Sequence, residues 1–531
     1  MTEGDSVPLP PHRRIPPVRR LRLPLAVLLG LALLGLVAGT GLALGGRDGG
    51  QQAAAARPLP QGAAASPLPK AVRPAAEALP FDLPAVETLH ASGKKVYAHY
   101  FTPYPLSLDN QAPGADYYAR NYLRPEGESG KHAAYGGLLR DRPRPVAPGG
   151  SDWQQANMEQ EVRTARDAGL DGFTVDLLSL SGPNWDRVKL LMAAAHAVDP
   201  GFRVVLMPDM VALAGTGPGT LAARLAELAA SPAAGRFADG RLVVSPFKAE
   251  AKEPGWWRQV LDTLRTRHGT DAALLPVFLD FPANAARFAP LSEGFSEWGN
   301  RSYTAQGGAA ADVARAKDLG KLWMQPVSVQ DARPNQGIYD EAGNTATLRA
   351  SWQAAIDTDA DWVQLTTWND YSEGTQFAPS LHNGYTYLDL SSYYLTRFKT
   401  GDWPKIVRDT VYVTSRTQFA AASPAQGAAK TMRLRGNSAP ARDTVEALAF
   451  LSAPAAVRVL QDGATKEERL NTGVHPLVVP LRTGTATGEI WRDGTRTASV
   501  RTEYPVEAKP KVQDLQYYGV SSGRTGTTAG D

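Results

Sequence analysis

Residues 172–210 read GFTVDLLSLSGPNWDRVKLLMAAAHAVDPGFRVVLMPDM, and this stretch decides the fold class. Two apolar, β-branched runs, 172–178 (GFTVDLL) and 202–210 (FRVVLMPDM), have strand composition, and the Ala- and Leu-rich segment 185–198 between them has helix composition. A strand, a helix and a second strand in succession form the unit of a parallel sheet with crossover helices.

The same alternation extends to both sides. Strands are predicted over 95–101 (KVYAHYF), 241–247 (RLVVSPF), 274–281 (LLPVFLDF), 294–298, 321–329 (KLWMQPVSV) and 361–368. Helices are predicted over 153–168, 221–230, 256–267, 309–319 and 345–357. Eight strands with intervening helices between residues 95 and 368 predict an α/β fold, a (β/α)8 barrel, whose chemistry lies at the C-terminal ends of the strands. His99 lies on the first strand, Asp176 closes VDLL, Asp209 closes LMPDM, Lys248 follows SPF, Asp280 closes VFLD, and Gln325 sits in WMQP. Each acid could equally be a helix N-cap or a salt-bridge partner, but acids are costly at buried strand ends, so their convergence on one rim points to substrate contact.

After the eighth strand comes TTWNDYSEGTQF, residues 366–377, which presents Asp370 and Glu373. A pair of carboxyl groups is what acetal cleavage needs, one protonating the leaving oxygen and one activating the nucleophile. Trp368 and Tyr371 offer aromatic faces to a sugar ring, and Asn369 is a donor that can orient a hydroxyl or a carboxylate.

The WNDY segment, with an acid three residues after its Asp, resembles the eighth-strand motif of glycoside hydrolase family 71, the α-1,3-glucanases or mutanases. The resemblance includes VYAHYF, GFTVDLL and LMPDM and runs over about residues 94–505. It implies Glu373 as general acid, Asp370 as the carboxylate activating water, inversion at the anomeric carbon, and no metal or organic cofactor. Where the fungal members typically read WNDYGES, this chain reads WNDYSEGTQ, and EGTQ is similar to the family 99 mannosidases and mannanases. That likeness would imply an α-mannan substrate and retention assisted by the sugar 2-hydroxyl. A third reading is a membrane-tethered carbohydrate-binding protein that has lost catalysis.

Composition closes off other classes. With 56 basic and 53 acidic residues the net charge is +3, and no basic block beyond the N-terminus suggests a nucleic-acid surface. Zero cysteines exclude disulfides, thiol nucleophiles and thiolate metal sites. No GxGxxG, GxxxxGK, GxSxG or HExxH pattern supports a nucleotide, serine-hydrolase or metal reading.

Residues 1–22 are basic, with Arg13, Arg14, Arg19, Arg20 and Arg22 preceding an apolar run at 23–46 long enough to span a bilayer. This predicts a membrane anchor, or else a signal sequence, with the catalytic body outside the cytoplasm and released if the segment is cleaved. Residues 47–90, containing PLPQGAAASPLPK, read as a linker; 91–405 as the catalytic barrel; 406–510 as a β-sandwich; and 511–531 as a flexible tail. In the sandwich, Asp493-Gly494 between two β-rich runs is a type I′ hairpin signal.

Overall fold

The β-branched runs form strands because alternate side chains can be buried on the two faces of one pleated layer. In the computed structural model, which describes residues 79–425 and 429–524, they make nine parallel strands. These are β1 (Lys95–Tyr100), β2 (Gly172–Leu177), β3 (Arg203–Pro208), β4 (Leu242–Val244), β5 (Ala272–Leu274), β6 (Val277–Phe278), β7 (Gly294–Glu297), β8 (Leu322–Val327) and, after two short strands, β11 (Trp362–Leu365). Their order is β5-β4-β3-β2-β1-β11-β8-β7-β6, a curled sheet of the TIM-like α/β class.

The edges β5 and β6 are two halves of one run, parted only by Leu275 and Pro276. Proline has no N–H to give to a ladder, so the pairing lapses there. Even so, Leu275 N donates to Val244 O and Val277 N to Pro246 O on one side, while Glu293 N donates to Leu274 O on the other. The two ends of the sheet are joined through this run. It begins and ends earlier than the 274–281 read from sequence, because Asp280 caps, and Pro282 opens, a helix at Phe281–Phe288.

Period-two alternation divides the side chains. Val96, Ala98, Phe173, Val175, Val204 and Leu206 join the large core under the helices, whereas Tyr97, Val205, Met207, Val243 and Met324 form a smaller cluster on the opposite, inward face. The helices Trp153–Asp167, Gly182–Val198, Pro218–Ala229, Pro254–His268, Ala309–Asp318 and Ala346–Asp357 cover the outside, joined by Thr386–Thr400.

Past residue 400 the chain forms two antiparallel four-stranded sheets around an aliphatic core that includes Val411, Val413, Val457 and Ile490. Their strands are β12 (Thr410–Ser415), β14 (Thr444–Leu451), β15 (Ala455–Gln461), β16 (Ala464–Leu470), β17 (Gly473–Pro480), β18 (Ala486–Arg492), β19 (Thr495–Arg501) and β20 (Tyr518–Ser521). Asp493 and Gly494 both have positive φ, as a type I′ turn requires, and so do Asp462 and Gly463 between β15 and β16.

A third small sheet pairs β9 (Asp331–Arg333) and β10 (Ile338–Asp340), which follow β8, with β13 (Arg433–Leu434) from the C-terminal part. The flexible tail expected from residue 511 is corrected over its described part: β20 pairs with β12, and Leu515, Gln516 and Tyr517 are buried. Segments 1–22 and 23–46 and most of the linker lie outside the described residues. Among the described residues no helix is long and apolar enough to cross a membrane.

Candidate active site

The turn after β11 holds Asp370 by a set of short bonds. Asp370 N donates to Thr367 Oγ1 at 2.8 Å, and its Oδ1 accepts from Ser372 Oγ at 2.6 Å, Ser372 N at 3.0 Å and Glu373 N at 3.2 Å. Burial raises the Asp370 carboxyl above its ordinary range, and these donors together with Arg333 oppose that rise. Glu373 stands partly buried on the same turn, with Oε1 2.6 Å from Nη1 of Arg333. Burial pushes its carboxyl up to about 8 against the pull of Arg333, with Asp370 and Asp331 adding to the rise. The two acids thus sit in different settings, one wrapped in N–H and O–H donors and one facing a guanidinium.

Close to Asp370 stand His99 on β1 and Asp176 on β2, with Asp209 just after β3 beside those two. His99 Nε2 is 3.7 Å from Asp176 Oδ2, and the imidazole meets Trp298 edge to face at 5.0 Å. Burial lowers the His99 ring to about 4, so it is neutral near pH 7. Asp176 is driven well above the carboxylate range by burial and then by Asp370. His99 Nδ1 and Asp176 Oδ1 are buried and have no hydrogen-bond partner among the described residues. Asp209 binds the N–H groups of Val211 and Ala212 and is raised to about 6, chiefly by burial. Lys248, half-buried after β4, has a positive φ of 51°.

The remaining predicted residues occupy other positions. Gln325 Oε1 accepts from Trp323 Nε1 at 2.7 Å, and Trp323 packs in the outer core, so Gln325 is turned away from the inward face that His99 and Asp176 share. Asp280 is exposed and its Oδ1 accepts from Ala283 N as a helix cap. Trp368 is buried against Phe173, with ring centroids 5.2 Å apart. Tyr371 is buried with Tyr104, Tyr118 and Leu139. Asn369 uses its whole amide on backbone: Oδ1 accepts from Phe101 N, and Nδ2 donates to Phe101 O and Tyr104 O. In WNDY, therefore, Asn and Tyr fasten the turn to the loop after β1 and Trp packs on β2, leaving Asp370 to the site. Within EGTQ, Thr375 and Gln376 also face the scaffold, Gln376 donating to Asp141 Oδ2 and Thr375 Oγ1 lying 3.0 Å from Thr367 Oγ1.

Asp331 and Arg333 went unnoticed in the sequence. They stand two apart on β9, a spacing that puts both on one face of an extended strand and was the available signal.

A TIM-like sheet with neighbouring, differently tuned carboxyl groups on its rim suits acid/base cleavage of a glycosidic bond. The chain belongs to glycosyl hydrolase family 71, whose model matches residues 149–528. It is similar to the ascus wall endo-1,3-alpha-glucanase of Schizosaccharomyces pombe, 22% identical over 246 residues that are 43% of this chain and 55% of that one. The chain thus spans about half the length of that relative. Among solved structures, a GH99 endo-alpha-mannosidase from Bacteroides thetaiotaomicron is 16% identical with a TM-score of 0.44, covering 57% of this chain and 97% of that chain. A family 2 glycosyl hydrolase from Bacteroides cellulosilyticus is 11% identical with a TM-score of 0.38, over 66% of this chain and 43% of its own.

Proposed function

We propose that the protein hydrolyses α-1,3-glucan with inversion, Glu373 acting as general acid and Asp370 as the base that activates water. The observation carrying this reading is the contrast between the two carboxyl groups. Three hydrogen bonds converge on one Asp370 oxygen and favour its carboxylate, while Glu373 is raised to about 8 and holds a proton at neutral pH. An acid able to give a proton beside a base able to take one matches the two halves of an inverting displacement. His99 and Asp176 are assigned to the sugar hydroxyls, because their unpartnered buried polar atoms gain most from a polar ligand, and Asp209 and Lys248 are assigned with them from their places at the ends of the next strands.

The α-glucan choice rests on the family and on the likeness to the endo-1,3-alpha-glucanase of Schizosaccharomyces pombe. The α-mannan alternative drew on EGTQ. Since Thr375 and Gln376 face the scaffold, that likeness carries little weight for the choice of glycan.

The test is reducing-end release from insoluble α-1,3-glucan and from α-mannan, with the anomer of the first product read by NMR. Release from the glucan with a β-anomeric product is expected; release from mannan alone would overturn the substrate assignment. The rate should fall as pH rises past the Glu373 value of about 8, since the acid must be protonated. The arginine cluster before the apolar run motivates an extracytoplasmic location. Intact cells should then degrade added glucan, and activity only after lysis would count against that placement.

A further inference from the structure

Beside Glu373 the strand β9 supplies an ion pair that none of the roles above uses. Arg333 Nη1 is 2.6 Å from Glu373 Oε1. The other edge of its guanidinium is held by Asp331, with Nε 2.7 Å from Oδ1 and Nη2 2.5 Å from Oδ2. Asp331 is only 1% exposed. The backbone follows the same path, Ala332 N donating to Glu373 O at 2.7 Å.

Arginine does not lose its proton in proteins, so alone it would hold a glutamate 2.6 Å away as a carboxylate, unable to act as an acid. A bidentate aspartate on the far edge neutralises that charge while leaving the guanidinium fork rigid. We propose that Asp331 and Arg333 are positioning residues: Arg333 aims the Glu373 carboxyl, and Asp331 cancels the guanidinium charge so that Glu373 keeps the proton it delivers. This rests on the reading of Glu373 as general acid.

The arrangement reaches into the C-terminal part. Arg435, just after β13, donates from Nε to Asp340 at 2.8 Å, and its Nη2 lies 3.6 Å from Asp331. The residue after the acid, Gly374, has a φ of +65°, and a Cβ there would come within 2.6 Å of Gln516 Nε2. The other charges facing Glu373 are Asp370 on its own turn and Arg301, which donates to Ser328 Oγ and lies 4.0 Å from Asp331.

The test is the pH profile of kcat/KM for full-length Arg333→Met, Arg333→Lys and Asp331→Asn on the polysaccharide and on an α-glucoside with an activated leaving group. Losing the guanidinium should move the alkaline limb up, and losing Asp331 should move it down, each by about one pH unit or more. Lysine keeps the charge without the fork, so Arg333→Lys should return the limb towards wild type while kcat on the polysaccharide stays low. On the activated substrate, which needs little proton donation, kcat should change far less in all three. Limbs that stay put, or that move the same way in Arg333→Met and Asp331→Asn, would overturn the proposal. If Asp331→Asn melts early or does not fold, the Met and Lys variants decide: a limb moved by Met and restored by Lys supports it, and no movement in either overturns it. Glu373→Gln separates the two levels of the argument. Full activity in that variant removes the general-acid reading itself, whereas an inactive Glu373→Gln with unmoved limbs removes only the role of Asp331 and Arg333.

Discussion

The two sides of the rim treat their carboxyl groups in opposite ways. On the side of β1 to β3, Asp176 has no cationic partner among the described residues, since the ring nitrogen 3.7 Å away belongs to a His99 that burial keeps neutral near pH 7. On the side of β8 and β11, Glu373 is fixed by a guanidinium that Asp331 already balances. The first side leaves buried polar atoms open for a ligand to satisfy, and the second has its geometry set before any ligand arrives. Residue type alone does not separate these roles; the charges nearby do.

The largest effect should fall on the fixed side. Glu373→Gln keeps the shape but removes the proton, so hydrolysis of the natural glycan should slow at least about a hundredfold, with a smaller loss on activated substrates. Asp370→Asn should slow both kinds of substrate, because water must be activated whatever leaves. Kinetics count only where circular dichroism and melting remain near wild type. Equal losses on both substrates for Glu373→Gln would erase the distinction between the acids.

An intermediate effect is expected on the open side. Burial and the nearby Asp370 both raise the Asp176 carboxyl and so favour its neutral form, whose shape and pairing of a donor with an acceptor Asp176→Asn keeps. It should retain activity within about tenfold, while Asp176→Ala takes away the polar atoms a sugar hydroxyl would meet and should lose about ten- to a hundredfold. If asparagine were as damaging as alanine, Asp176 would be working as an anion and the contrast between the two sides would fail.

The smallest effect belongs to Asp280, an exposed cap of the helix Phe281–Phe288 that lies away from both groups. Asp280→Ala should cost about 1 kcal/mol of stability, read from the melting curve, and leave kcat/KM unchanged. A clear loss of activity at unchanged stability would bring Asp280 back to the substrate and widen the open side.

Much of this was legible in the chain. Strand positions followed from β-branched runs, and the type I′ turn at Asp493-Gly494 from residues that tolerate positive φ. The Asp462-Gly463 turn carried the same signal, but β16 beyond it reads ATKEERL, whose charges suit a face open to water and hide a strand. Gln325 was read as a rim residue, but the period of two puts it on the same face as Trp323 and Val327, which belong to the outer core. Trp368, Asn369 and Tyr371 carry sugar-binding chemistry in their side chains, yet packing against Phe173 and the backbone of Phe101 and Tyr104 takes them into the scaffold.

By itself the sequence determined the succession of strands and helices, the location of the carboxylate pair at a strand end, and the family motif around it. Those properties are local, set by the period of apolar residues and by neighbours a few positions apart. Only the tertiary structure decided which acids carry a cation and which do not. Arg333 stands 40 positions before Glu373, and Gln516 stands 142 positions after Gly374, so no local pattern reports that they meet. Charge and desolvation act through space rather than along the chain, and the proton on Glu373 is governed by residues that only the fold brings within reach.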